Sequence, residues 1–253
     1  MNNSHQYGPL TRIKKFFLPT KYDKVQKKLF HDRVYFYQQF ISPGTLCFDI
    51  GANYGNRTEI FLKLQAKVVA LEPQQKCYDF LTKKFGSRAI VLKKGAGAQI
   101  GELDFFINDG NPQVSTFSKD WINEFKKSRF SRNEWNRTEK IKLVTLDSLV
   151  EEYGEPQFIK IDVEGFEPDV LLGLSKPFQY LSFEYAVPEK IDNLLQCLSI
   201  LHSKYKNLSA NYAIGEEPKL QLNSWISLNK MIEYVNQEKF RDSFAGDIYI
   251  KNT

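Results

Sequence analysis

The chain has 253 residues, 42% of them hydrophobic and 26% charged, which excludes a disordered or fibrous protein and suits one α/β domain with a small appendage. Its formal charge is +5, yet the lysines fall in scattered pairs such as Lys14-Lys15, Lys27-Lys28, Lys83-Lys84 and Lys126-Lys127, the pattern of solvated helix faces and not of a polyanion-binding track. Three cysteines, Cys47, Cys77 and Cys197, form no CxxC pair and leave an odd count, which argues against a disulfide framework or a zinc knuckle.

No apolar run approaches the roughly 18 residues of a membrane helix, and the N-terminus shows no apolar leader core, so a cytoplasmic protein is expected. Residues 22–41 carry Val25, Leu29, Val34, Phe36, Tyr37, Phe40 and Ile41 at loose helical spacing, closed by Ser42-Pro43-Gly44. They predict a helix that caps the main domain, with residues 1–43 as an N-terminal helical extension and residues 44–253 as the domain itself. Leu46-Cys47-Phe48-Asp49-Ile50 then reads as a buried parallel strand, followed by glycines and a helix over residues 59–64. A second strand, Val68-Val69-Ala70-Leu71, ends in Glu72-Pro73; a helix over residues 75–85 and a third strand near residues 89–92 follow.

The alternation then pauses. Residues 102–107 look like an extra hairpin arm, and residues 108–140 are polar, dotted with aromatics and aperiodic. So long an irregular stretch in a compact domain predicts an insertion or lid over an acceptor pocket. Beyond it come a strand at 141–144, a helix at 147–153, a strand at 158–161, a helix from Pro168, a strand at 180–183, a helix at 188–204, a polar loop region, a helix at 227–235 and a strand at 247–250. Strands alternating with helices imply a mostly parallel central sheet with helices on both faces.

The sharpest motif is Asp49-Ile50-Gly51-Ala52-Asn53-Tyr54-Gly55, where the first strand gives way to the first helix, the place where open α/β sheets bind ligands. Gly51 and Gly55 lack side chains, which lets the backbone turn tightly and approach an adenosine. Their G-x-x-x-G spacing differs from the G-x-G-x-x-G that seats a pyrophosphate and disfavours a dinucleotide dehydrogenase. Glu72, about 20 residues beyond the loop at the end of the second strand, is placed to accept hydrogen bonds from ribose hydroxyls.

A second cluster follows from strand period two, which puts Phe158, Lys160 and Asp162 on one face. A lysine in a buried strand needs a carboxylate or a ligand as partner, so Lys160 is either half of a structural ion pair or a substrate contact. Asp162 and Glu164 emerge at the strand end, with Glu184 ending the next strand nearby. These carboxylates suit removal of a hydroxyl proton and equally suit oxygen ligation of Mg²⁺; the two remain alternatives. Glu167 and Asp169 read as structural, since acids in a first helical turn meet the helix dipole favourably. His5, His31 and His202 fall in no motif, which makes a carboxylate the preferred base, with His31 or His202 folded back over the site as the alternative.

The glycine loop, Leu71-Glu72-Pro73, Thr145-Leu146-Asp147 and Ile159-Lys160-Ile161-Asp162-Val163-Glu164-Gly165 jointly resemble the FkbM family of methyltransferases over about residues 43–184, with an echo in Gly246-Asp247-Ile248-Tyr249. The resemblance implies a Rossmann-like class I methyltransferase fold, S-adenosylmethionine as cofactor, and O-methylation of a hydroxyl on a sugar, glycan or natural product. It further implies that Asp49, Gly51, Ala52, Asn53 and Gly55 form the cofactor loop, that Glu72 holds the ribose, and that Lys94-Gly95-Ala96 lies beside the adenine. Lys160, Asp162, Glu164 and Glu184 are then the catalytic cluster. Two rivals stand beside this reading. One is a nucleic-acid methyltransferase, suggested by the interleaved Trp121, Phe125, Lys126, Lys127, Arg129, Phe130, Arg132 and Trp135, although no Asn-Pro-Pro-Tyr loop or Pro-Cys dipeptide accompanies them. The other is a non-catalytic cofactor-binding protein.

Overall fold

A computed structural model describes residues 21–128 and 131–252. In chain order, α1 (Lys21–Tyr37) precedes β1 (Leu46–Ile50), α2 (Asn56–Lys63), β2 (Lys67–Leu71), α3 (Gln75–Phe85), β3 (Ile90–Leu92), β4 (Gly95–Ala96) and β5 (Gly101–Ile107). Next come α4 (Lys119–Phe125), β6 (Arg137–Val144), α5 (Leu146–Tyr153), β7 (Phe158–Ile161), α6 (Glu167–Leu172) and β8 (Tyr180–Ala186). The last elements are α7 (Ile191–Lys204), β9 (Leu208–Ile214), β10 (Ile226–Ser227), α8 (Leu228–Val235), α9 (Glu238–Arg241) and β11 (Ala245–Asn252).

Eight strands form one sheet in the order β10-β9-β11-β8-β7-β1-β2-β3. Neighbours from β3 to β8 are parallel, and β11 runs antiparallel between β8 and β9. The expected mostly parallel sheet is therefore present. Its strands carry apolar residues on both sides because helices cover both faces. On one face Phe48, Ile50, Ile159, Ile161, Phe183 and Ile248 join a core with α5, α6, α7 and α8. On the other, Cys47, Phe158 and Tyr249 meet Ile60 and Phe61 of α2 and Phe36 and Tyr37 of α1, with Phe40 and Ile41 just beyond it. The Phe40 ring stacks on Tyr249 at 5.2 Å and the Tyr37 ring stands edge-on to Phe158 at 5.5 Å. Among the described residues no helix is long and apolar enough to cross a membrane.

Two expectations change. The strand at 141–144 is the end of the longer β6, which pairs antiparallel with β5 from Gly101↔Leu143 to Ile107↔Arg137 in a separate sheet ordered β4-β6-β5. Only one face of this arm is buried, through Phe105, Ile107, Phe117, Ile141 and Leu143, as suits an antiparallel pair open to water on one side. The region after residue 204, read as a polar loop, contains β9. Leu208, Ala210 and Tyr212 point into the core, while Ser209 and Asn211 alternate with them and mask the apolar signal. Buried Asn211 is satisfied by Leu222, donating to its carbonyl at 2.9 Å and accepting from its N–H at 3.0 Å.

Candidate active site

The sheet reverses direction of growth at β1, whose neighbours are β2 on one side and β7 on the other. Crossovers leave such a point on opposite faces and a crevice opens at the carboxyl ends of the strands. Here it is a cavity of about 240 Å³.

The loop after β1 forms its floor. Gly51, Asn53 and Gly55 have φ of 84°, 48° and 79°, the left-handed region that glycine tolerates best. A Cβ on Gly51 would overlap the carbonyl oxygen of Asp162, and one on Gly55 would overlap the Phe85 ring. The glycines are thus demanded by the protein's own close approach of β1 to β7 and of the loop to α3, a different reason from approach to an adenosine. Gly51 and Ala52 donate their N–H groups to the Leu71 carbonyl at 3.0 and 2.9 Å, which ties the loop to β2. Asp49, Gly51, Ala52, Asn53, Glu72 and Ala96 all line the cavity, with Lys94 beside them. Gly55 is not on its wall: it caps α2 instead, with its N–H on the Ala52 carbonyl at 2.7 Å.

Asp49 is buried and accepts from Thr58 Oγ1 at 2.5 Å. Burial pushes its carboxyl above the ordinary range, against the pull of Thr58, Lys160 and Arg57. Glu72 is 3% exposed. Its Oε2 accepts from the Asn53 N–H at 2.7 Å and its Oε1 from the Gln74 N–H at 2.8 Å. Burial nevertheless pushes it up to about 7. A carboxylate has about four lone-pair sites, so both oxygens keep capacity for hydroxyl donors.

Across the cavity, Lys160 is 1% exposed and its Nζ donates to Asp247 Oδ1 at 2.9 Å, Asp162 Oδ2 at 3.2 Å and the Ile161 carbonyl at 3.3 Å. Burial opposes its charge, but the Asp162 and Asp247 carboxylates hold the ammonium well above its ordinary range. The cavity also receives Asp162, Glu164 and Glu184, which offer carboxylate oxygens all within 4.8 Å of one another. Burial first, and then the charge of Asp162, pushes Glu164 and Glu184 far above the carboxylate range. Crowded acids of this kind keep protons at neutral pH or share a cation, and three oxygen donors suit Mg²⁺.

Glu164 sits in the left-handed region at φ 53°, followed by Gly165 at 89°. The turn is clasped from several sides. Thr116 Oγ1 donates to the Glu164 carbonyl at 2.7 Å, Asn193 Nδ2 donates to the Gly165 carbonyl at 3.0 Å, and the Val163 and Gly165 N–H groups both donate to Glu167 Oε1 at 3.2 Å. The Trp121 side chain lies where a Cβ on Gly165 would be. Glu167 is accordingly structural, but as the buried clasp of this turn; burial pushes its carboxyl up to about 7 against those bonds.

Three charged residues escaped the sequence reading. Arg57 lies in Asn56-Arg57-Thr58 just past the glycine loop, Glu216 in the presumed polar loop, and Asp247 in the faint closing motif that was the one available signal. Arg57 and Glu216 line the cavity. His31 and His202 are exposed and neither lines it, while His5 lies outside the described residues. The aromatic and basic segment offers no stacking platform from its described rings: Trp121 and Phe125 are buried in a cluster with Val114 and Ile122, Trp135 Nε1 donates to the Val114 carbonyl at 2.8 Å, and Lys126 covers the Trp135 ring at 5.5 Å. Arg129 and Phe130 lie outside the described residues.

The chain is similar to several known proteins. The hexuronic acid methyltransferase AglP of Haloferax volcanii is 30% identical over 144 residues, which are 53% of this chain and 52% of that protein; the chain thus spans about half the length of this relative. Among solved structures, precorrin-6y C5,15-methyltransferase of Geobacter metallireducens is 9% identical with a TM-score of 0.45, covering 87% of this chain and 86% of that one. An O-methyltransferase of Bacillus cereus in complex with SAH is 11% identical with a TM-score of 0.44, covering 96% and 97%. The model of the methyltransferase FkbM domain matches residues 49–202, a span that begins at the buried aspartate of the glycine loop and takes in Glu72 and the whole Lys160 to Glu184 cluster. The chain belongs to the FkbM methyltransferase family.

Proposed function

We propose that the chain transfers the methyl group of S-adenosylmethionine to a hydroxyl of a sugar or glycan. The observation that carries this reading is that a single cavity holds the β1 loop and Glu72 on one side and Lys160, Asp162, Glu164 and Glu184 on the other. When bound, the cofactor would supply a sulfonium methyl that the acceptor oxygen takes as the carbon–sulfur electron pair returns to sulfur, and a carboxylate of this cluster would accept the hydroxyl proton. Most of the acceleration comes from holding oxygen and methyl in line. Asp162 or Glu164 orients or deprotonates the acceptor, Lys160 fixes the Asp162 carboxylate, and Glu184 lines the acceptor side. Pro112, Gln113, Ser115 and Phe117 also line the cavity, which supports reading residues 108–140 as a wall of the acceptor pocket. A relative named for hexuronic acid supports a sugar. Three buried free thiols suit the reducing cytoplasm.

Calorimetry should show binding of S-adenosylhomocysteine and none of NAD, and labelled cofactor should mark one member of a panel of neutral and acidic saccharides. Asp162→Asn and Glu164→Gln should keep cofactor affinity, and removal of the true base should lower turnover by about 10² to 10⁴. No cofactor binding in the parent, or parental turnover in both variants, would refute the assignment.

A further inference from the structure

One wall of the cavity has no part in this chemistry. Arg57, in the first turn of α2, and Glu216, in the turn after β9, both line it. The Arg57 side chain is 14% exposed and its Nη2 bridges Glu216 Oε2 at 2.5 Å. Its guanidinium also lies 5.9 Å from the centre of the Tyr37 ring. Arg33 of α1 bridges the same carboxylate oxygen at 3.0 Å, so two guanidiniums share one side chain that is itself 65% exposed. The Nε atoms of Arg33 and Arg57 are buried without a hydrogen-bond partner, a costly state for a charged donor. The other carboxylates whose charge couples to Arg57 are Asp49 and Asp247, and these are occupied by Thr58 and Lys160. What the arrangement lacks is a further anion, and a guanidinium braced in place matches the two oxygens of a carboxylate.

We propose that Arg57, braced by Glu216, is the carboxylate-binding residue of this cavity. The carboxylate has two possible sources, the amino-acid end of the cofactor or an acidic sugar acceptor. The proposal rests on the S-adenosylmethionine reading above.

Calorimetry on the whole chain can separate the sources. S-adenosylhomocysteine is compared with 5′-methylthioadenosine, which lacks the amino-acid end, and glucuronate is compared with glucose in the presence of S-adenosylhomocysteine. Arg57→Gln should weaken one carboxylate ligand roughly tenfold to a hundredfold, leave 5′-methylthioadenosine unchanged, and be partly rescued by Arg57→Lys. Loss confined to S-adenosylhomocysteine names the cofactor as the source; loss confined to glucuronate names the acceptor. Equal weakening of 5′-methylthioadenosine, or no change in either carboxylate ligand, overturns the proposal. Should Arg57→Gln fail to fold, the parent decides: S-adenosylhomocysteine binding no better than 5′-methylthioadenosine, with glucuronate no better than glucose, overturns it equally. A parent that binds neither nucleoside defeats the cofactor reading instead, a distinct result.

Discussion

Glu72 is a carboxyl whose burial and two backbone donors pull in opposite directions, with burial winning and the group pushed up to about 7. Ribose hydroxyls donate to the charged form and favour it, so cofactor binding should expel a proton near neutral pH. Affinity for S-adenosylhomocysteine is therefore expected to fall between pH 8 and pH 6, with proton release visible as a buffer-dependent enthalpy; Glu72→Gln should flatten the profile. A flat profile in the parent would contradict the role of Glu72. The sign for stability is the opposite of that for a salt-bridged acid. A raised pKa contributes stability that is fully present below the unfolded value of about 4.5 and is lost as pH rises through about 7, so ionisation of Glu72 and Glu167 should destabilise the ligand-free protein between pH 5 and pH 8. At this scale strand period two was sufficient to bring Lys160 and Asp162 to one face. Nothing local could reveal Arg57 or Glu216, because each is defined by a partner 159 residues away.

The elements that sequence pattern exposes most clearly are the central strands, whose apolar runs and terminal glycines or acids have a single explanation. β9 and the outer half of β6 are obscured because polar residues alternate through them. The segment between β5 and β6 shows a different kind of failure. Lack of periodicity suggests a loosely held lid, yet Val114, Trp121, Ile122 and Phe125 form a buried cluster, and two contacts, Thr116 on the Glu164 carbonyl and Trp121 on Gly165, fix the turn that carries Glu164. Trp121→Ala should cost about 3 to 5 kcal/mol in denaturant titration. It should lower turnover through Glu164 while S-adenosylhomocysteine affinity stays within a few-fold, since Trp121 does not line the cavity. Parental turnover in a folded Trp121→Ala protein would show that α4 does not position the turn.

Across the whole molecule a polar chain runs from the capping helix to the cavity: the Tyr37 hydroxyl lies 3.3 Å from that of Tyr249, Tyr249 donates to Asp247 at 3.5 Å, and Lys160 joins Asp247 to Asp162. Breaking a buried pair from one side leaves an uncompensated charge and typically costs about 3 to 5 kcal/mol. Lys160→Met and Asp247→Asn should each do so, and the double variant should cost less than the sum; strict additivity in a denaturant cycle would show the pair is not coupled. Asp247 stands on β11, and β11 enters the sheet between β8 and β9, although it is the latest of the eight strands in the chain. A nascent chain leaving the ribosome can therefore lay down β1 to β8, with the β1 loop and Glu72 in place, while the edge of β8 stays bare and Lys160 lacks one of its two counterions. The half of the cavity that holds the β1 loop and Glu72 can form during synthesis, and the half that holds Lys160 gains its second counterion only when β11 pairs with β8.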